Sequence, residues 1–193
     1  MNVHNPSEQI DIRLPFRMII TDSNVSTTTS LLLDLIQKID KFETVYVISE
    51  DLTGTQCHSL LQQDDIKIVF LNDLPLWDTF DDKKNTLVIF DNLICKTDQD
   101  VAKTFRLRLQ AEYNTISTIL LSSTYKKIHK TIRNSYTYFI GKLITRTDYD
   151  LMQQENCAMW NLTFYAAMQQ DWFLLSSGKS IHHDFQPAFI NVK

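Results

Sequence analysis

The fold that this sequence predicts is a three-layer α/β domain with a mainly parallel central sheet and a C-terminal β-hairpin. Three observations predict it. Short runs rich in β-branched and aromatic residues alternate with segments of helical period, the order that builds a parallel sheet covered by helices. The run Thr86 to Phe90 is apolar throughout, which suits a central strand buried on both faces. A polar turn joins the first strand candidate, Phe16 to Thr21, to an amphipathic helix, so the sheet's first strand-to-helix turn is visible in the sequence.

Taken in order, Met1 to Asp11 is polar and reads as a mobile arm, with one domain expected over residues 12–193. Thr27 to Ile39 is a helix whose Leu31, Leu32, Leu35, Ile36 and Ile39 share a face, with Ser26 as its N-cap. Glu43 to Ser49, with Thr44 to Ile48 β-branched and aromatic, reads as a second strand. Leu52 to Gln63 reads as a helix, Ile66 to Phe70 as a short strand, and Leu74 to Lys84, with Pro75 and the pair Asp81 and Asp82, as a connection. After the apolar strand, Asp98 to Gln110 is helical and Ile116 to Leu121 is a buried strand ending in Ser122 and Ser123. Tyr125 to Arg133 reads as a basic helix, Tyr136 to Ile140 as a strand, and Asp148 to Gln154 and Asn156 to Met168 as helices. Asp171 to Leu175 and Ala188 to Val192 are expected to pair as the terminal hairpin.

The composition narrows the function. With 193 residues, 44% of them hydrophobic, the chain can bury a substantial core. A formal charge of −4 argues against coating DNA unaided, since sequence-independent affinity comes from cations that neutralise phosphates. No run approaches the roughly 18 apolar residues of a membrane span, and Met1 to Gln9 is too polar for a signal peptide. The expected location is therefore inside the cell rather than secreted. The three cysteines, Cys57, Cys95 and Cys157, are odd in number and far apart, and suggest neither a disulfide framework nor a zinc site. Only three glycines are present, and glycine is what a backbone nest around phosphate needs.

A strand, a polar turn and a helix form the layout of a phosphate-binding loop. Its working pattern is G-x-x-x-x-G-K-S/T. With Thr29 at the final hydroxyl, Asp22 stands at the first glycine, Thr27 at the second and Thr28 at the lysine, so only Thr29 keeps its type.

The segments around this turn, Pro15 to Ile20 and Leu31 to Ile36, resemble the DNA-packaging ATPases of poxviruses and other large DNA viruses, with relatives in virophages and Polinton-like elements. That A32-like family belongs to the FtsK/HerA group of P-loop motors. Asn85 to Leu93 resembles its Walker B strand, and Ser117 to Phe139 its next strand and following helix. The likeness covers roughly residues 12–176, with three segments in the right order.

The resemblance implies a P-loop NTPase-like fold and, in the family, a loop that wraps phosphates, a lysine on their oxygens, and a hydroxyl and an aspartate on magnesium. Carried to this chain, the vestigial nucleotide site is Asp22, Ser26, Thr27, Thr28, Thr29 and Ser30. Asp91 stands at the magnesium-directing position, where it suits either residual metal binding with Thr29 or a strand-end cap. Asn92 replaces the catalytic acid, and an amide cannot take a proton from water. Ser123, after Ser122, stands where the sensor glutamine is expected. The arginine-finger turn falls near Gln110 and Glu112, one turn beyond Arg106 and Arg108. Loop, lysine, acid and sensor depart together.

The implied function is a catalytically inactive homologue, a pseudo-ATPase, serving as a structural or regulatory subunit in DNA packaging or virion assembly. No cofactor is then expected. The alternative is an active, divergent ATPase motor that uses ATP and Mg to move viral DNA into the capsid, with Lys126 or Lys179 supplying the missing charge. Expected partners are further copies in a ring, an active packaging ATPase or capsid proteins. Lys126, Lys127, Lys130 and Arg133, with His129, form the densest basic cluster and read either as a solvated face or as a contact to DNA or an acidic partner. Ser177 to Ser180 mimics the tail of a phosphate loop but reads as a turn. His182, His183 and Asp184 read as solvated polar residues rather than a metal site.

Overall fold

The computed structural model describes residues 2–4, 10–39, 42–49, 67–71, 80, 84–91, 115–142, 144–156, 172–176, 180–182 and 190–192. Eleven strands occur among them: β1 (Asn2–His4), β2 (Ile10–Ile12), β3 (Arg17–Thr21), β4 (Thr44–Ser49), β5 (Lys67–Leu71), β6 (Thr86–Asp91), β7 (Ile116–Ser122), β8 (Tyr138–Gly141), β9 (Phe173–Ser176), β10 (Ser180–His182) and β11 (Ile190–Val192). The helices are α1 (Val25–Ile39), a single turn α2 (Lys130–Arg133) and α3 (Arg146–Asn156). Nine strands form one sheet in the order β1-β10-β9-β8-β3-β7-β6-β4-β5, and β11 pairs with β2 in a second sheet. From β8 to β5 every neighbouring pair is parallel.

The pleat sorts the core into two layers, because successive side chains leave opposite faces of a strand. Met18 and Ile20, Leu87 and Ile89, Ile119 and Leu121, and Tyr138 and Ile140 pack on one face against Leu31, Leu32, Leu35, Ile36 and Ile39 of α1. Ile19, Val88, Phe90, Leu120 and Phe139 fill the other face with Ile128, Ile132, Tyr149 and Met152. Leu32 and Leu35 are fully buried, and each such leucine contributes about 1.5–3 kcal/mol by leaving water. The apolar strands expected from the sequence are therefore those covered on both sides.

Four expectations change. Helix α1 begins at Val25 rather than Thr27, which places Ser26 inside the helix instead of at its N-cap. The stretch read as a mobile arm contains β1, parallel to β10, and β2, parallel to β11. The hairpin is made by β9 and β10, antiparallel, whereas β11 turns away to pair with β2. Three-residue edge strands carry no periodicity, so their partners were not readable.

The basic helix is also broken. Tyr125–Lys127 is a single 3₁₀ turn, and Ile128 and His129 are extended, with ψ of 131° and 139°. His129 Nδ1 accepts from Thr131 N at 3.3 Å and starts α2 anew. Ile128 and Ile132, four residues apart, are buried in one layer, as they would also be on a continuous helix. The expected helices 52–63 and 98–110 lie outside the described residues, as do residues 157–168 of the third and the three cysteines, while Asn156 ends α3.

Candidate functional site

Chain order and sheet order together locate a crevice. From β3 the chain crosses to β4 on one side, and from β7 it crosses to β8 on the other, although β3 and β7 are neighbours. Connections that part in this way open a crevice at the carboxyl ends of the strands, where open α/β sheets take ligands. The loop 22–24 and the turn 122–124 lie there, joined by Asp22 N donating to the Ser122 carbonyl at 3.4 Å. Register places Thr21 beside Ser122, and Asp91 beside Leu121. Asp91 thus reaches the same edge one strand further along, about 10 Å from β3 at ordinary strand spacing.

The loop between β3 and α1 is three residues long, and its polar groups are spent on one another. Asp22 is buried, and its Oδ1 accepts from Asn24 N at 3.0 Å. Its Oδ2 accepts a short hydrogen bond from the Thr27 hydroxyl. The Asn24 carbonyl accepts from Thr28 N at 3.2 Å and lies 3.1 Å from the Thr28 hydroxyl and 3.0 Å from that of Thr27. Thr28 N–H is therefore an ordinary helical donor rather than one of the free donors that a helix start offers to phosphate. A carboxylate at this end also interacts favourably with the helix dipole, worth about 0.3–1 kcal/mol. The β-branched Thr27, which a nest would force into a glycine-type backbone, lies within regular helix.

On the neighbouring turn the Ser122 hydroxyl donates to the Thr124 carbonyl at 2.9 Å. Ser123 Oγ accepts from Lys127 Nζ at 3.3 Å. Thr29 is half-buried and Ser30 exposed on the first turns of α1, and Asp91 is 3% exposed at the end of β6. The structure thus brings Asp22, Thr27, Thr28, Ser122, Ser123 and Asp91 to one edge. Asn92, Gln110, Glu112, Lys179, His183 and Asp184 lie outside the described residues, and among the described residues no group of three metal-ligating side chains forms.

The basic cluster divides. Lys126, Lys127, His129 and Lys130 are exposed. Arg133 is 7% exposed and turned inward, a correction to its expected place on the surface. Its Nη2 meets Glu155 Oε1 at 2.5 Å, its Nε donates to Oε2 at 3.0 Å, and its Nη1 donates to the Ile128 carbonyl at 2.6 Å. The guanidinium also lies 5.1 Å from the Tyr125 ring centre, and Tyr125 OH donates to Glu155 Oε2 at 3.0 Å. Asp148 holds the other end of the kinked segment, accepting from Lys126 N at 2.8 Å. A kinked backbone leaves carbonyls without helical donors, and Arg133 supplies one. Sequence reasoning missed this clamp because Glu155 lies 22 residues from Arg133.

The fold has solved counterparts. The chain is similar to the genome packaging NTPase B204 of Sulfolobus turreted icosahedral virus 2 in complex with sulfate, with a TM-score of 0.64 and 11% identity, over 95% of this chain and 99% of that one. The complex of the same NTPase with AMPPCP gives a TM-score of 0.64 and 12% identity, over 90% and 98%. The cytoplasmic domain of the Type VII secretion ATPase EccC from Thermomonospora curvata matches with a TM-score of 0.53 and 10% identity, over 89% of this chain and 24% of that one. No protein-family model matches the chain, and no curated protein matches it by sequence. At these identities the likeness is one of fold: the α/β domain of packaging and secretion ATPases. Among the described residues no helix is long and apolar enough to cross a membrane.

Proposed function

We propose that the chain is a non-hydrolysing homologue of viral genome-packaging ATPases, a pseudo-ATPase that works as a structural or regulatory subunit in DNA packaging or virion assembly. The observation that carries this reading is the closed first turn of α1. A triphosphate needs free N–H donors, a lysine and room for its oxygens. Here Asn24 N and the Thr27 hydroxyl already serve the Asp22 carboxylate, and Thr28 stands in place of the lysine. A buried negative charge at that point repels the ligand the loop would hold, and charge-assisted bonds worth about 1.5–3 kcal/mol each are missing. These residues do not suit ATP with magnesium, so no chemical step is assigned to it. The role is then carried by protein contacts, with further copies in a ring, an active packaging ATPase or capsid proteins as partners, in the host cytoplasm, viral factory or virion. The exposed Lys126, Lys127 and Lys130 are the candidate contact to DNA or to an acidic partner.

A second reading, a divergent working motor, is favoured by one observation: Asp91 is kept, buried, on the same edge as the loop before α1. Two assays separate the readings. Light scattering of the purified protein, alone and mixed with an active packaging ATPase, DNA or capsid proteins, should reveal an assembly, and monomers in every mixture would remove the first reading. ATP turnover that disappears in Asp91→Ala would establish the second.

A further inference from the structure

Lys126, Lys127, His129 and Lys130 are all exposed, whereas Tyr125, Ile128, Ile132 and Arg133 of the same segment are buried. Lys126 and Lys130 are four residues apart, so their backbones lie within about 14 Å of each other. Helix α3 packs against this segment and carries three carboxylates, yet each is spent elsewhere. Asp148 accepts from Lys126 N at 2.8 Å, Asp150 pairs with Arg146 at 3.0 Å, and Glu155 holds both Arg133 and Tyr125. Among the described residues no carboxylate pairs with Lys126, Lys127, His129 or Lys130, and Lys127 Nζ has only the neutral Ser123 Oγ at 3.3 Å. The lysine charges therefore stand unneutralised on one face.

The residues around them decide the partner. Protein interfaces are anchored by aromatic and arginine side chains and are depleted of lysine. Here Tyr125 and Arg133 are turned inward and held there by Glu155. What remains outside is lysine with Thr131 and Asn134, side chains of the kinds that meet phosphate oxygens. Unpaired bases need an aromatic ring to stack on, and residues 123–135 expose none, which leaves the backbone of a duplex. The contacts of Asp148 and Arg133 also fix the segment in advance, so less freedom is lost on binding. We infer that Lys126, Lys127 and Lys130 form a sequence-independent contact surface for the phosphate backbone of duplex DNA. The choice of DNA over duplex RNA rests on the packaging role proposed above, since the lysines serve either backbone. The formal charge of −4 over the whole chain keeps the contact local.

The test is fluorescence anisotropy of a labelled DNA duplex of about 20 base pairs with the full chain, without nucleotide, between about 50 and 200 mM salt. Three lysines that each neutralise one phosphate give a slope of log affinity against log salt of about −2.7, so binding weakens about 40-fold over that range. Lys126→Gln, Lys127→Gln and Lys130→Gln should each reduce the slope by about 0.9, and the triple variant should lose measurable binding. Lys38→Gln, at an exposed lysine of α1, should bind as the wild type does. The single variants serve if the triple variant does not fold. No binding by the wild type at about 50 mM salt, or a triple variant that binds as well as the wild type, overturns the assignment. So does tighter binding of polyglutamate or of an RNA duplex than of the DNA duplex, which would name an acidic protein or RNA as the partner. Neither ATP turnover nor assembly with capsid proteins enters these readouts, so this surface and the proposed role can fail separately.

Discussion

Arg133→Ala is the substitution that most sharply separates a buried clamp from a surface cation. In the folded chain the Arg133 and Glu155 side chains are 8% and 9% exposed, joined through two nitrogens and two oxygens. Removing one partner of a buried ion pair leaves the other as an uncompensated charge, at about 3–5 kcal/mol. The Ile128 carbonyl loses its 2.6 Å donor, worth about 1 kcal/mol, and the Tyr125 ring its cation, worth about 0.5–2 kcal/mol. These effects overlap, so a total of about 4 kcal/mol is expected, a large part of the 5–15 kcal/mol that holds an ordinary domain together. In a chain of this length that lowers Tm by roughly 8–16 °C. Urea unfolding followed by circular dichroism measures it. The double variant Arg133→Met with Glu155→Leu should recover most of the loss, because an apolar pair of similar volume replaces the ions without stranding a charge. A loss under about 1 kcal/mol in Arg133→Ala, the range of an exposed ion pair, would refute the clamp and return Arg133 to the surface cluster.

Gly141→Ala should destabilise by about 1–3 kcal/mol, since a Cβ there would meet Phe173 ring carbons at 2.8 Å and Ile144 Cδ1 at 2.9 Å; calorimetric unfolding of the variant reads the cost. Burial, assisted by the Glu155 charge, pushes the Tyr136 hydroxyl up to about 12 from its ordinary 10. The folded state therefore holds that proton longer than the unfolded chain. Its contribution is fully present below pH 10 and declines between about pH 10 and 12, by about 2–3 kcal/mol in all. Stability measured across that window should fall more steeply for the wild type than for Tyr136→Phe. Equal slopes would show that the hydroxyl is not held out of water. Leu35→Ala, at the centre of the α1 layer, should cost about 2–5 kcal/mol in the same urea assay.

What the sequence disclosed follows from burial. β3, β4, β6, β7 and β8 were legible because both faces of each are covered, which demands runs such as Met18-Ile-Ile and Leu87-Val-Ile-Phe that no loop would carry. α1 was legible from the spacing of Leu31, Leu32, Leu35, Ile36 and Ile39, although its start was not. Ser26 has the chemistry of a cap, but Asp22, four residues earlier, takes the donors of the loop and lets the helix begin at Val25. The kink at Ile128 and the inward turn of Arg133 depend on Glu155 and Asp148, partners in another helix that no local pattern reveals. Strands β1, β2, β10 and β11 are three residues each and are defined by pairings between the two ends of the chain, so their periods are too short to read. Of the candidate site, the positions at the sheet edge were readable from the motif spacing. The mutual capping of Asp22, Asn24, Thr27 and Thr28 was not, since it depends on where the helix starts.

The central claim is that the loop after β3 holds its own carboxylate where a nucleotide would place phosphate. Calorimetric titration with ATP and magnesium of the native chain, beside a variant carrying Asp22→Gly, Thr27→Gly and Thr28→Lys, tests it most directly. No heat of binding from the native chain, together with binding by the restored one, is the predicted result. Micromolar binding of ATP by the native chain would contradict the claim.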